Sequence, residues 1–129
     1  MSIIRATVAT TYEVATTYEV HGSTFHSYVA PSRMQTDVCT WQVEVPPNLE
    51  GATHRPSRDE ALRVLSGQLV VSTDGESTPL HAGDVAFIRA GSELRLDGGP
   101  EGGTAWVCTT PGLEAVMDDG SRITPPWAN

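Results

Sequence analysis

The 129 residues hold eight arginines, no lysine, and 16 aspartates and glutamates, giving a formal charge of −8. Any mechanism that needs a lysine, such as a Schiff base, a Walker A phosphate contact or a Ser–Lys dyad, is excluded, and the negative balance argues against nucleic acid or an anionic membrane surface as a partner. A chain this long is expected to be a single domain with its own core. It opens with no basic leader ahead of an apolar run and has no window approaching 18 apolar residues, so a cytoplasmic protein is expected.

In chain order, residues 1–22 are expected to form an N-terminal arm or edge strand. They contain the hexad ATTYEV twice in succession, at 9–14 and 15–20. Six is even, so both copies keep the same faces and either can take the same sheet partner; the other then extends as an arm, or exchanges with a second subunit in a homodimer. From Gly22 onward Gly and Pro break the chain so often that ordinary helices have nowhere to sit. Between the breaks lie STFHSYVA, DVCTWQVEV, ALRVLSGQLVVSTDG, DVAFIRA, ELRLD and TAWVCTT, short segments rich in β-branched and aromatic residues that predict an all-β sandwich or barrel. Cys39, Trp41, Val43 and Val45 alternate with polar neighbours, the pattern of a half-buried strand with Trp41 facing a core.

Asp74-Gly75 predicts a two-residue hairpin turn, and Ser66-Gly67 a turn or bulge one strand earlier. The run from Asp97 to Gly103, DGGPEGG, reads as a flexible acidic connection. Cys39 and Cys108 read as buried reduced thiols. The ending TPPWAN is expected not to be helical, with Trp127 anchoring an extended tail. Residues 23–112 are thus expected to form the barrel, and 113–129 a final strand and tail packed on it.

Of four histidines, none forms a local metal-binding pattern. His21 and His81 adjoin turns and are expected to be exposed, while His26 alternates with Phe25 and could face either side. The segment GATHRPSRDEALRVLSG followed by HAGDVAFIRAGSEL carries more information. His54, Glu60 after a three-residue spacer, and Gly67 closing the pattern, then Gly83-Asp84 and Gly91, resemble the two motifs of the cupin family. The resemblance implies a single antiparallel cupin barrel, a double-stranded β-helix or jelly roll, over roughly residues 38–110. It also implies a metal set of three histidines and a glutamate, from which this chain departs. Pro56 and Leu94 stand at the second and third histidine positions, and Arg89 replaces the motif's proline. His54 and Glu60 alone are too few for a transition-metal site, so no metal cofactor is expected. A divalent ion would need help from His26, or from Cys39 or Cys108.

Without a metal, a Glu60 carboxylate beside His54 would form a charge-assisted hydrogen bond, a general acid/base device. Burial would raise the Glu60 pKa and the histidine would lower it, and the sequence leaves the sign open. The resulting expectation is a small-molecule-binding cupin acting as a metal-independent isomerase, cyclase or lyase. His54 and Glu60 would be catalytic, with Trp41, Leu62, Val64, Leu94, Trp106 and His26 against the substrate. The alternatives are a non-catalytic ligand-binding module and a metal-dependent oxygenase or zinc cyclase with rebuilt ligands.

Overall fold

Alternating side chains in the middle of the chain pair into one curled sheet. The computed structural model describes residues 1–6 and 13–129. In chain order the strands are β1 (Ile4–Arg5), β2 (Glu13–Val14), β3 (Thr16–Val20), β4 (Ser23–Val29), β5 (Cys39–Val45), β6 (His54–Pro56), β7 (Glu60–Thr73), β8 (Glu76–His81), β9 (Val85–Ile88), β10 (Leu94–Thr109), β11 (Ala115–Met117) and β12 (Arg122–Ile123), followed by a 3-10 turn at Pro126–Ala128. β1 and β2 pair in parallel. Among the described residues the other ten strands form an antiparallel sheet in the order β12-β11-β6-β10-β5-β4-β3, with β7 joined to β10, β8 and β9. This is the expected all-β barrel of jelly-roll type. No helix among the described residues is long and apolar enough to cross a membrane.

The two long strands β7 and β10 make the barrel's corner. On β7 the buried positions are Glu60, Leu62 and Val64, then Leu69 and Val71, so the inward face changes from even to odd numbers. An extra residue does this: Thr104 pairs with Ser66 but Ala105 pairs with Val64, leaving Leu65 without a partner. Such a bulge turns the chain and reverses the parity, and Leu65 is consequently exposed. Gly67 occupies this corner at φ 70, where an added Cβ would lie 2.1 Å from the carbonyl oxygen of Gly102. The hairpin turn at Asp74 and Gly75, with φ of 48 and 85, takes the positive angles a type I′ turn requires.

Two local expectations are corrected. The segment from Asp97 to Gly103 is part of β10 rather than a free loop. Its glycines allow backbones to touch: a Cβ on Gly98 would fall 2.0 Å from the Pro46 carbonyl oxygen, and one on Gly99 2.8 Å from that of Gln68. The tail is not wholly extended either, because Pro126 starts a single 3-10 turn, a position where its missing N–H costs nothing. Trp127 does anchor the tail, stacking on Phe25 with ring centroids 3.7 Å apart. The Ser27 hydroxyl donates to the Trp127 carbonyl at 2.7 Å, and the Cys39 thiol to that of Ala128 at 3.2 Å.

Both cysteines are free, but only Cys39 is buried; Cys108 is half-buried. Burial pushes the Cys39 thiol above its ordinary pKa. The second ATTYEV copy supplies β3, paired from Thr16 with Ser27 to Val20 with Ser23. Of the first copy, Glu13 and Val14 pair with Ile4 and Arg5, and residues 9–12 lie outside the described residues.

Candidate active site

β7 delivers Glu60 and Leu62 to the barrel interior by its even parity, and the turn before Glu60 is fixed from three sides. The Asp59 carboxylate accepts from the Ala90 N–H at 2.8 Å, its carbonyl accepts from the Thr109 hydroxyl at 2.7 Å, and the Ser57 N–H reaches the Glu114 carbonyl at 2.8 Å. β6 is only three residues long, yet it holds His54 between Leu94 of β10 and Met117 of β11. His54 and Glu60 both face a cavity of about 130 Å³. Its walls are apolar, formed largely by Trp41, Leu62, Leu94, Val107, Phe25 and Trp127, with His21 at the exposed rim.

The predicted hydrogen bond between His54 and Glu60 is not formed. The His54 Nδ1–H is instead donated to the Ala52 carbonyl at 2.9 Å. A carbonyl can only accept, so Nδ1 carries the proton and Nε2 keeps its lone pair. Burial holds the imidazole pKa below its usual value, opposed by the Ala52 bond and reinforced weakly by His21. Glu60 is buried, 7% exposed as a residue; no described residue donates a hydrogen bond to its carboxyl, whose oxygens open onto the cavity rather than being sealed in the core. Desolvation raises its pKa from 4.5 to about 7. Both groups are therefore driven toward their uncharged forms, and burial gives the Glu60 shift its upward direction, with no opposing hydrogen bond from His54.

Of the expected substrate contacts, Trp41, Leu62 and Leu94 line the cavity. Val64 is fully buried in the core and does not reach the cavity surface. Trp106 and His26 lie on the outer face. Trp106 alternates with the buried Ala105 and Val107 and meets Tyr28, ring centroids 5.2 Å apart. His26 has opposite parity to the cavity-lining Ser23 and Phe25; its Nδ1 is 3.0 Å from the Thr17 hydroxyl and its Nε2 3.4 Å from Glu44. His26 therefore cannot join His54 and Glu60 around a metal.

Sequence reasoning missed Phe25, His21 and the wall built by the tail and by β11 and β12, including Met117, Ile123 and Trp127. Parity along STFHS would have placed Phe25, but nothing local predicts where the tail returns.

The donor set does not fit the metal site that the motif resemblance implies. Pro56 and Leu94 present carbon to the cavity where two histidines would be required, and the Cys39 thiol is engaged by Ala128. Among the described residues, no three His, Cys, Asp or Glu side chains converge on a common point, and a stable transition-metal site needs three or four such ligands.

Residues 41–101 match the cupin domain family. No curated protein matches the chain in sequence. Among solved structures, an RmlC-like cupin from Shewanella frigidimarina is similar, with a TM-score of 0.65, 18% identity, and coverage of 76% of this chain and 85% of the other. A cupin-superfamily sugar phosphate isomerase from Silicibacter pomeroyi gives 0.63 and 21%, covering 76% of this chain and 66% of the other. The salicylate 1,2-dioxygenase of Pseudoaminobacter salicylatoxidans gives 0.63 and 18% over 69% of this chain, which spans only 25% of that enzyme. At these identities the likeness shows the fold, and the activity must be argued from the site. The match over residues 41–101 and the barrel built around it together show that the chain carries a cupin domain.

Proposed function

We propose that the protein is a metal-independent cupin enzyme that moves a proton within a small organic substrate, in an isomerisation, cyclisation or elimination. One observation carries this reading: Glu60 is a carboxyl without a hydrogen-bond partner among the described residues, buried in an apolar cavity and pushed up to about 7. A group whose pKa matches neutral pH is present both as base and as acid, the condition under which general acid/base catalysis works best.

As carboxylate, Glu60 takes a proton from a carbon next to a carbonyl, and the C–H electron pair moves into the enolate. As carboxylic acid it returns that proton to another carbon or to a leaving oxygen, so no oxidant or reductant is required. The His54 Nε2 lone pair accepts a hydrogen bond from a substrate hydroxyl, with its ring held by Ala52. The homodimer expected from the chain would use the sheet edge at β3, which pairs only with β4 among the described residues. A monomer by light scattering would contradict that part.

Deuterium exchange tests the proposal. Chelator-treated protein is incubated in D2O at neutral pH with small carbonyl compounds, neutral, anionic and cationic, and followed by NMR. Wild type is expected to accelerate exchange at an acidic C–H of at least one compound, and E60Q to lose on the order of 10²-fold or more of that rate. Equal exchange by wild type and E60Q would refute it. Binding without exchange would favour the non-catalytic ligand-binding module.

A further inference from the structure

We infer that the ligand of this cavity is an uncharged molecule of about one ring, bearing a carbonyl or other acceptor that meets the Glu60 carboxyl, and that carboxylates, phosphates and ammonium compounds are excluded. The inference rests on the reading of Glu60 as the working group of the site and adds the class of molecule it acts on.

Size comes first. A volume of about 130 Å³ is close to that of an apolar cavity of about 150 Å³ that holds benzene. The aromatic surfaces of Trp41, Phe25 and Trp127 line it, which suits a ring.

Charge decides the rest. No arginine lines the cavity, and residues 7–12 contain no cationic side chain. Several arginines are engaged elsewhere: Arg55 with Glu93, Arg95 with Asp97 and Glu50, Arg122 with Glu114, and Arg89 over the Phe87 ring. An anion entering the barrel would lose its hydration, find no countercharge and lie beside a carboxyl, a large uncompensated cost.

A cation meets the opposite difficulty. The same walls that disfavour ionised Glu60 also disfavour a protonated His54, although that imidazole sits in the cavity with the carboxyl. Below pH 7, where Glu60 is mostly protonated and His54 is neutral, the apolar walls offer no ionised partner to a ligand of either sign. A neutral carbonyl instead accepts a hydrogen bond from the O–H of Glu60 in its acid form and supplies the missing partner; loss of that proton from the complex gives the carboxylate that acts as base.

The test is binding of cyclohexanone, cyclohexanecarboxylate and cyclohexylammonium to the full chain at pH 6, read by quenching of tryptophan emission and by calorimetry. The ketone is expected to bind at least about tenfold more tightly than either ion. Its affinity should then fall, by up to about tenfold, between pH 6 and pH 8 as Glu60 loses its proton. E60Q, which keeps an N–H donor without the titration, should bind the ketone with affinity independent of pH. If E60Q does not fold, the wild-type pH series carries the same information.

Binding of the carboxylate or the ammonium compound as tightly as the ketone would overturn the inference, as would no ketone binding at millimolar concentration. Failure here is distinct from failure of the catalytic reading. A charged ligand whose exchange depends on Glu60 would contradict only the substrate class, whereas ketone binding with exchange unaffected in E60Q would contradict only the catalysis.

Discussion

Replacing Glu60 with glutamine should remove a pH dependence from the stability of the whole protein. In the fold Glu60 titrates at about 7, against an ordinary value of 4.5 that an unfolded chain approaches. Below 4.5 the carboxyl is protonated in both states, and its burial carries no ionic penalty. As pH rises, the unfolded chain releases the proton first, so stability falls until the folded carboxyl also ionises near 7. Each pH unit between the two values is worth about 1.4 kcal/mol, which makes the loss about 3 kcal/mol across this window. E60Q lacks the group, so the stability difference between E60Q and wild type should change by that amount, with E60Q gaining relative to wild type from acid to alkaline conditions. Urea denaturation of both proteins at intervals from pH 5 to pH 8 measures it, and all other titrating groups largely cancel in the difference. Parallel curves over that range would refute the reasoning, because they would place the Glu60 carboxyl in water or against an unseen donor.

Three further outcomes follow from the same geometry. G67A should lose at least about 2 kcal/mol, because φ 70 and the carbonyl of Gly102 both oppose a side chain; a change below about 0.5 kcal/mol in urea denaturation would mean that the corner relaxes freely. W127A removes a nearly buried ring stacked on Phe25 and should cost about 3–5 kcal/mol, with ring-ligand binding weakened in parallel. A loss under about 1 kcal/mol would show that the tail is not part of the core. P56H/L94H would restore the missing histidine positions around His54 and Glu60, so elemental analysis should find stoichiometric zinc or nickel in the variant. Equal metal in wild type would contradict the account of the donor set.

Legibility differed sharply along the chain. β5 could be read directly because its alternation is local: each residue from Cys39 to Val45 declares its face by parity, and the positions were buried as expected. Asp74-Gly75 was equally plain, since few residues tolerate the angles of that turn. The cupin frame followed from the spacing of His54, Glu60 and Gly67. DGGPEGG misled because glycine serves both flexible loops and tight backbone contacts, and only the neighbours Pro46 and Gln68 distinguish them.

His54 and Glu60 come to one cavity, but the sequence cannot show that Ala52, two residues before His54, takes the Nδ1 proton. Trp106 and His26 were attractive for their chemistry, but both parities of their strands carry apolar residues, and only the folded sheet turns these two outward. The tail's contribution depends on contacts such as Ser27 with Trp127, one hundred positions apart, for which no local pattern exists.

The central claim is that one buried carboxyl stands ready to exchange a proton at neutral pH. The direct measurement is an NMR titration of the Glu60 side-chain carboxyl carbon in isotopically labelled protein, assigned by its disappearance in E60Q. A midpoint at about 7 is expected, and a midpoint near 4.5, the ordinary value, would contradict a buried carboxyl that exchanges its proton at neutral pH.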